Sequence, residues 1–135
     1  MSGDALCVGV CMIDWDSRVC LGCGRSADAI NGVPGAAETI ALHTIFALLR
    51  ATQAHVHLCR LSSAAGVALV RQARAEGLKV TCDVSINSLY LTDTDIGFFD
   101  SRARLVPPLR QQRDRDALQA GLRDGTIDAL VSDHN

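Results

Sequence analysis

Three groups of residues in this chain of 135 have the types and spacing to do chemistry. His55 and His57 stand at i and i+2. On a strand such residues share one face, and two imidazoles side by side can grip one metal ion. Without chemistry, the same pair reads as a strand start with one half-buried imidazole. Cys7, Cys11, Cys20 and Cys23 form the second group. Structural zinc takes two close-spaced cysteine pairs, and Cys20-x-x-Cys23 followed by Gly24 is a fair knuckle. The first pair is spaced more widely, and the stretch between the pairs is shorter than usual. The third group is Asp133-His134. A carboxylate at the mouth of a parallel sheet can act as general base or metal ligand. Its plain alternative is a helix cap or a salt-bridged loop. Arg60 can bind a carboxylate or phosphate, or lie over a sheet rim as a surface cation. Asp83 and Asp100 read as ordinary strand-end and turn carboxylates.

The elements that must position these residues follow from periodicity. Residues 1–35 hold six of the 11 glycines and four of the six cysteines, and read as an irregular segment with one strand over Ala5–Ile13. Residues 36–135 alternate regularly. Ala36–Ala51 reads as a helix, with Ile40, His43, Thr44, Ala47 and Leu48 at helical spacing and Glu38 in the first turn. A short strand covers His55–Cys59. Ser62 or Ser63 can cap the next helix, which runs to about Glu76 with Val67, Val70 and Ala73 inward and Gly77 as its stop. Lys79–Val84 is β-branched and reads as a strand. Ser85–Leu109 reads as a connection. Gln112–Arg123 reads as a charged helix with Ala117, Leu118, Gly121 and Leu122 inward, and Ile127–Val131 as a final strand. This order predicts parallel βαβ units, whose chemistry gathers at the C-terminal ends of strands.

Hydrophobic residues make up 48% and charged residues 21%, so the chain has the composition of a folded domain. The net charge of -2 and pI near 6.0 argue against nucleic acid or an anionic membrane as partner. There is no apolar run of about 18 residues and no basic leader, so we expect a cytoplasmic protein with reduced thiols.

The segments VPGAAETIALHTIFALLRATQAHVHLCRLSSAAGVALVRQARAEGLKVTCDVS, SLYLTDTDIG and VPPLRQQRDRDALQAGLRDGTIDALVSDH carry a resemblance. Together they resemble the dihydroorotase branch of the amidohydrolase superfamily, near its allantoinase and hydantoinase cousins. The resemblance spans Ala36–His134 and implies an α/β fold, a partial (β/α)8 TIM barrel of the metal-dependent hydrolase type. A complete barrel takes roughly 200 to 250 residues, about twice what this chain supplies.

The resemblance also implies zinc, held partly by histidines on the fifth and sixth strands and an aspartate on the eighth. Here Arg60 stands at the fifth-strand position, before Leu61-Ser62-Ser63. Asn87 stands at the sixth-strand position, and Asp133 keeps the aspartate as a vestigial base. Val106 replaces the substrate-contacting asparagine before Pro107-Pro108-Leu109-Arg110. A guanidinium repels zinc and an amide binds it weakly, so no cofactor is expected at those positions. By its surroundings, His55-x-His57 is not the family's first-strand metal pair. The pattern resembles the non-catalytic dihydroorotase homologues of pyrimidine biosynthesis, which implies aspartate transcarbamoylase as a partner. The rival expectation is a zinc-dependent cyclic amidohydrolase with Asp133 as base and ligands from another chain. A third is a zinc module built on the N-terminal cysteines. Half a barrel should also leave former core exposed, so we expect an apolar bare face and a chain that self-associates or is marginally folded.

Overall fold

The computed structural model describes residues 35–96 and 105–133, together with the backbone of residues 13–14 and 19–20. The strand expected over Ala5–Ile13 lies outside the described residues except for its last member. Ile13–Asp14 (β1) pairs antiparallel with Val19–Cys20 (β2). Cys7, Cys11, Cys23, Asp100 and His134 lie outside the described residues, as does the side chain of Cys20.

From Gly35 the expected alternation holds. It runs α1 (Gly35–Thr52), β3 (Val56–Leu58), α2 (Ala64–Ala75), β4 (Val80–Ser85), α3 (Ile86–Tyr90), a 3-10 turn (Asp93–Asp95), α4 (Gln112–Arg123) and β5 (Ala129–Val131). The last three strands form one parallel sheet in the order β3-β4-β5, with Val56 opposite Val80 and Asp83 opposite Ala129. Strands consecutive in sequence are neighbours in space. That is the winding of a barrel wall, not of a doubly wound open sheet.

Each element has a local cause. Ser63 is extended at φ −127°, ψ 154°, and its hydroxyl accepts from the Gly66 amide at 3.0 Å, which starts α2. Gly77 at φ +88° supplies the left-handed turn that ends it. Leu58, Val80, Cys82 and Val84 pack against Val67, Val70 and Ala73 of α2 and Leu118 of α4. Gly121 lets α4 come close to α2, since a Cβ there would sit 3.1 Å from Val67.

Two expectations need correcting. The α1 stripe through Ile40 and Leu48 is not the packed one, as these residues are 67% and 60% exposed. Leu42, Phe46 and Leu49 are buried instead. The helix is apolar on two sides, and packing against α2 selects one. Ser85–Leu109 is also not all connection. The Ser85 hydroxyl accepts from the Asn87 amide at 3.2 Å and starts the five-residue α3.

Core packing occupies one face of the sheet. On the other, alternation places His57 of β3, Thr81, Asp83 and Ser85 of β4, and Ala129 and Val131 of β5. This second face is mixed: β4 alternates Val80, Cys82 and Val84 with Thr81, Asp83 and Ser85, of which Asp83 and Ser85 are buried, while the register sets Ala129 and Val131 of β5 beside them. Among the described residues no helix is long and apolar enough to cross a membrane.

Candidate functional site

Three parallel strands end at one rim, and the sequence-derived candidates lie just past those ends. Arg60 follows β3, Asn87 follows β4 within α3, and Asp133 follows β5. Arg60 and Asp133 both hold left-handed backbones, at φ 58° and 52°. Such conformations are sparsely populated by residues with a Cβ and tend to occur where a site fixes the chain. Their side chains meet: Arg60 Nη1 donates to Asp133 Oδ1 at 3.3 Å. Asp133's side chain is 11% exposed and that of Arg60 42%. The carboxylate read from sequence as a base or ligand is therefore the anion of an ion pair. The salt-bridged alternative is the one adopted.

Asn87 stands apart from this pair in its bonding. Its amide binds Ser85, and its carbonyl accepts from the Leu91 amide at 2.8 Å. Val106 is 68% exposed. It has no polar side-chain atom with which to hold a substrate.

Asp83 does more than its sequence context suggested. It is 6% exposed, and Oδ1 accepts from the Arg60 amide at 2.7 Å. Oδ2 lies 2.9 Å from His57 Nε2, while His57 Nδ1 lies 2.7 Å from Thr81 Oγ1. Asp83 thus fixes the backbone turn that carries Arg60. His55 is exposed at the residue before β3. On the packed side of β4, burial pushes the Cys82 thiol up to about 11, making it an inert core group.

A second polar cluster lies behind the rim, and sequence reasoning missed it. The Glu38 carboxylate accepts from the Ser62 and Ser63 amides at 3.1 Å each, from Ser63 Oγ at 2.7 Å, and from Ser62 Oγ. The buried Arg110 donates its Nε to Ser62 Oγ at 3.2 Å. Asp114 accepts from the Ala64 amide at 2.8 Å and from the Gln111 amide at 3.2 Å. Carboxylates of α1 and α4 thereby satisfy the free amides at the start of α2. The Ser-Ser cap was the available signal, but its partner 24 residues upstream was not.

The chain is similar in sequence and in fold to known proteins. The chain is 40% identical over 108 residues to a dihydroorotase of Bacillus licheniformis, an alignment covering 80% of this chain and 25% of that protein. It thus spans about a quarter of the length of such relatives. A dihydropyrimidinase from Brevibacillus agri superposes with a TM-score of 0.72 and 28% identity, over 76% of this chain and 23% of that one. The inactive dihydroorotase-like domain of a Chaetomium thermophilum CAD-like multifunctional protein superposes with a TM-score of 0.54 and 27% identity. That match covers 66% of this chain and 24% of the other. Residues 7–39 match a family described as a protein of unknown function, DUF1289. The cysteine-bearing segment therefore carries a pattern found in other proteins.

Proposed function

We propose that this chain, a quarter-length member of the dihydroorotase-like branch of the amidohydrolase superfamily, hydrolyses no cyclic amide by itself and acts as a non-catalytic scaffold. The observation that carries this reading is the Arg60–Asp133 ion pair. Hydrolysis of this class needs a metal that polarises the amide and activates water, with a carboxylate to move the proton. At the family's metal-binding positions this chain offers a guanidinium at 60 and an amide at 87. The remaining carboxylate at 133 is already neutralised by the guanidinium. These residues do not fit a hydrolytic zinc centre, because a guanidinium offers the metal no lone pair and an amide only a weak one, which leaves a single carboxylate at these positions.

The setting we assign is pyrimidine biosynthesis in the cytoplasm, with aspartate transcarbamoylase or a second copy of the chain as partner. Support comes from the likeness to a domain whose own description is inactive and CAD-like. The free thiols Cys59 and Cys82 suit a reducing compartment.

Activity is tested with purified chain, dihydroorotate or a hydantoin, and zinc added or withheld. Background rates are expected throughout. Zinc-dependent turnover abolished by Asp133→Asn would instead establish the enzymatic alternative, with Asp133 as base. Co-sedimentation with aspartate transcarbamoylase tests the partner separately. Independent sedimentation would remove that partner and leave the loss of hydrolysis standing.

A further inference from the structure

The second face of the sheet holds a constellation that the lost family site does not use. One ligand atom each from His57, Cys59 and Asp83 lie within 4.8 Å of one another. His57 and Cys59 are i and i+2 along β3 and its extension, and Asp83 is on the adjacent strand β4. The register that pairs His57 with Thr81 sets Asp83 one pleat further on, beside Cys59. We propose that His57 Nε2, Cys59 Sγ and Asp83 Oδ2 form a binding site for a thiophilic divalent ion of the zinc type.

Four features favour an ion here. The donors are one imidazole nitrogen, one thiolate and one carboxylate oxygen, the set zinc prefers and magnesium or calcium does not. Their spacing is close to what is needed. Metal–ligand bonds of about 2.0 to 2.3 Å in a tetrahedron separate ligand atoms by roughly 3.2 to 3.8 Å. His57 Nε2 and Asp83 Oδ2 are 2.9 Å apart, so a small opening admits the ion. Cys59 is exposed and its thiol can turn inward. The ligands are also held from behind. Asp83 is fixed through Oδ1 by the Arg60 amide at 2.7 Å, and the His57 ring by Thr81 at 2.7 Å. A histidine ligand whose other ring nitrogen is bonded is the usual supporting arrangement. Finally, the nearby Arg60 guanidinium is paired with Asp133, so its charge is largely offset.

The proton balance is simple. In the tautomer that carries its proton on Nε2, His57 donates to Asp83 and the Thr81 hydroxyl donates to Nδ1. On binding, the Cys59 thiol loses its proton to solvent. The imidazole proton passes from Nε2 to Nδ1 and is then donated to Thr81 Oγ1.

The alternative is that these contacts only lock β3 to β4. Residue-resolved thiol alkylation of the reduced full chain separates the two. With zinc present, Cys59 should react with iodoacetamide at least about ten-fold more slowly than in chelator, measured on its own peptide by mass spectrometry. The buried Cys82 should stay slow in both, and the N-terminal cysteines are followed on separate peptides. His57→Gln keeps the thiol and should abolish protection of Cys59. Thr81→Val should weaken zinc roughly 10- to 100-fold, as loss of such supporting bonds does. Equal alkylation of wild-type Cys59 with and without zinc would overturn the site. So would protection confined to the N-terminal cysteines, or protection that persists in folded His57→Gln. Should His57→Gln fail to fold, the wild-type measurement still decides.

Discussion

Glu38→Ala removes the one acceptor shared by four donors at the start of α2. Two of these are the Ser62 and Ser63 amides, each 3.1 Å from a carboxylate oxygen. Ser62 is fully buried and Ser63 nearly so, and water reaches them poorly. A hydrogen bond to a charged group contributes about 1.5 to 3 kcal/mol net. Four such bonds do not add, because they share one carboxylate and both hydroxyls can re-aim. Ser63 Oγ also keeps its bond from the Gly66 amide. Counting only the two amides gives a loss of about 3 kcal/mol. An unfolding entropy of about 2.1 cal/mol/K per residue converts this to a fall in Tm of roughly 10 °C for a chain of this length. Glu38→Gln keeps an acceptor oxygen, loses the charge, and should fall between Ala and wild type. Urea unfolding at neutral pH, followed by circular dichroism, gives both midpoints at unchanged m. A loss below about 0.5 kcal/mol for Glu38→Ala, on the scale of an ordinary surface change, would refute the role assigned to this carboxylate. An equal loss for Gln and Ala would show that the oxygen itself is immaterial.

Other consequences are measurable in the same way. Gly66→Ala places a Cβ against the pinned Glu38 carboxylate and 2.9 Å from Leu61 Cδ1, so it should cost about 1 to 3 kcal/mol despite a better helix propensity. That cost should shrink in the Glu38→Ala background, and strict additivity in the double-mutant cycle would disprove the contact. Leu118→Ala hollows the junction of α2, α4 and β4 and should lose about 2 to 5 kcal/mol by chemical denaturation. Asp124 is held down to about 2 by the Thr126 hydroxyl, the Thr126 amide and Arg71. A lowered folded value means stability that is present above the ordinary carboxylate value and lost as pH falls toward 2. Asp124→Asn should therefore be less stable than wild type at neutral pH, with the difference vanishing in acid; a difference unchanged between pH 6 and 2 would contradict this. The isolated chain should self-associate or melt at low temperature, and a compact monomer with a cooperative transition above about 60 °C would show that its core closes unaided.

The parallel order and the rim positions of Arg60, Asn87 and Asp133 were legible because they depend only on local period and on where strands stop. Asp83's role was not, since its link to His57 crosses 26 residues and depends on the register of β3 against β4. One slip of that register would turn Asp83 into the core. Glu38 was hidden in the same way, as a first-turn acid whose partners are on another helix. The face of α1 was ambiguous because Ile40-Leu48 and Leu42-Phe46-Leu49 both satisfy a helical stripe. The polar side of β4, by contrast, was readable in Val80-Thr81-Cys82-Asp83-Val84-Ser85, whose strict alternation separates a packed side from a hydrogen-bonding one.

A wall wound with each strand beside its successor also behaves as a short array. Each βα unit leans on its neighbours in sequence and little else, so removing distant units weakens the ends first. Here β4 has a strand on both sides, and α2 packs against α1 on one flank and α4 on the other. Amide exchange should accordingly be slowest in β4 and α2 and quicken toward β5 and the outer turns of α1. The middle of such an array can stay ordered while its margins open and close, and those margins are where a neighbouring unit would anneal.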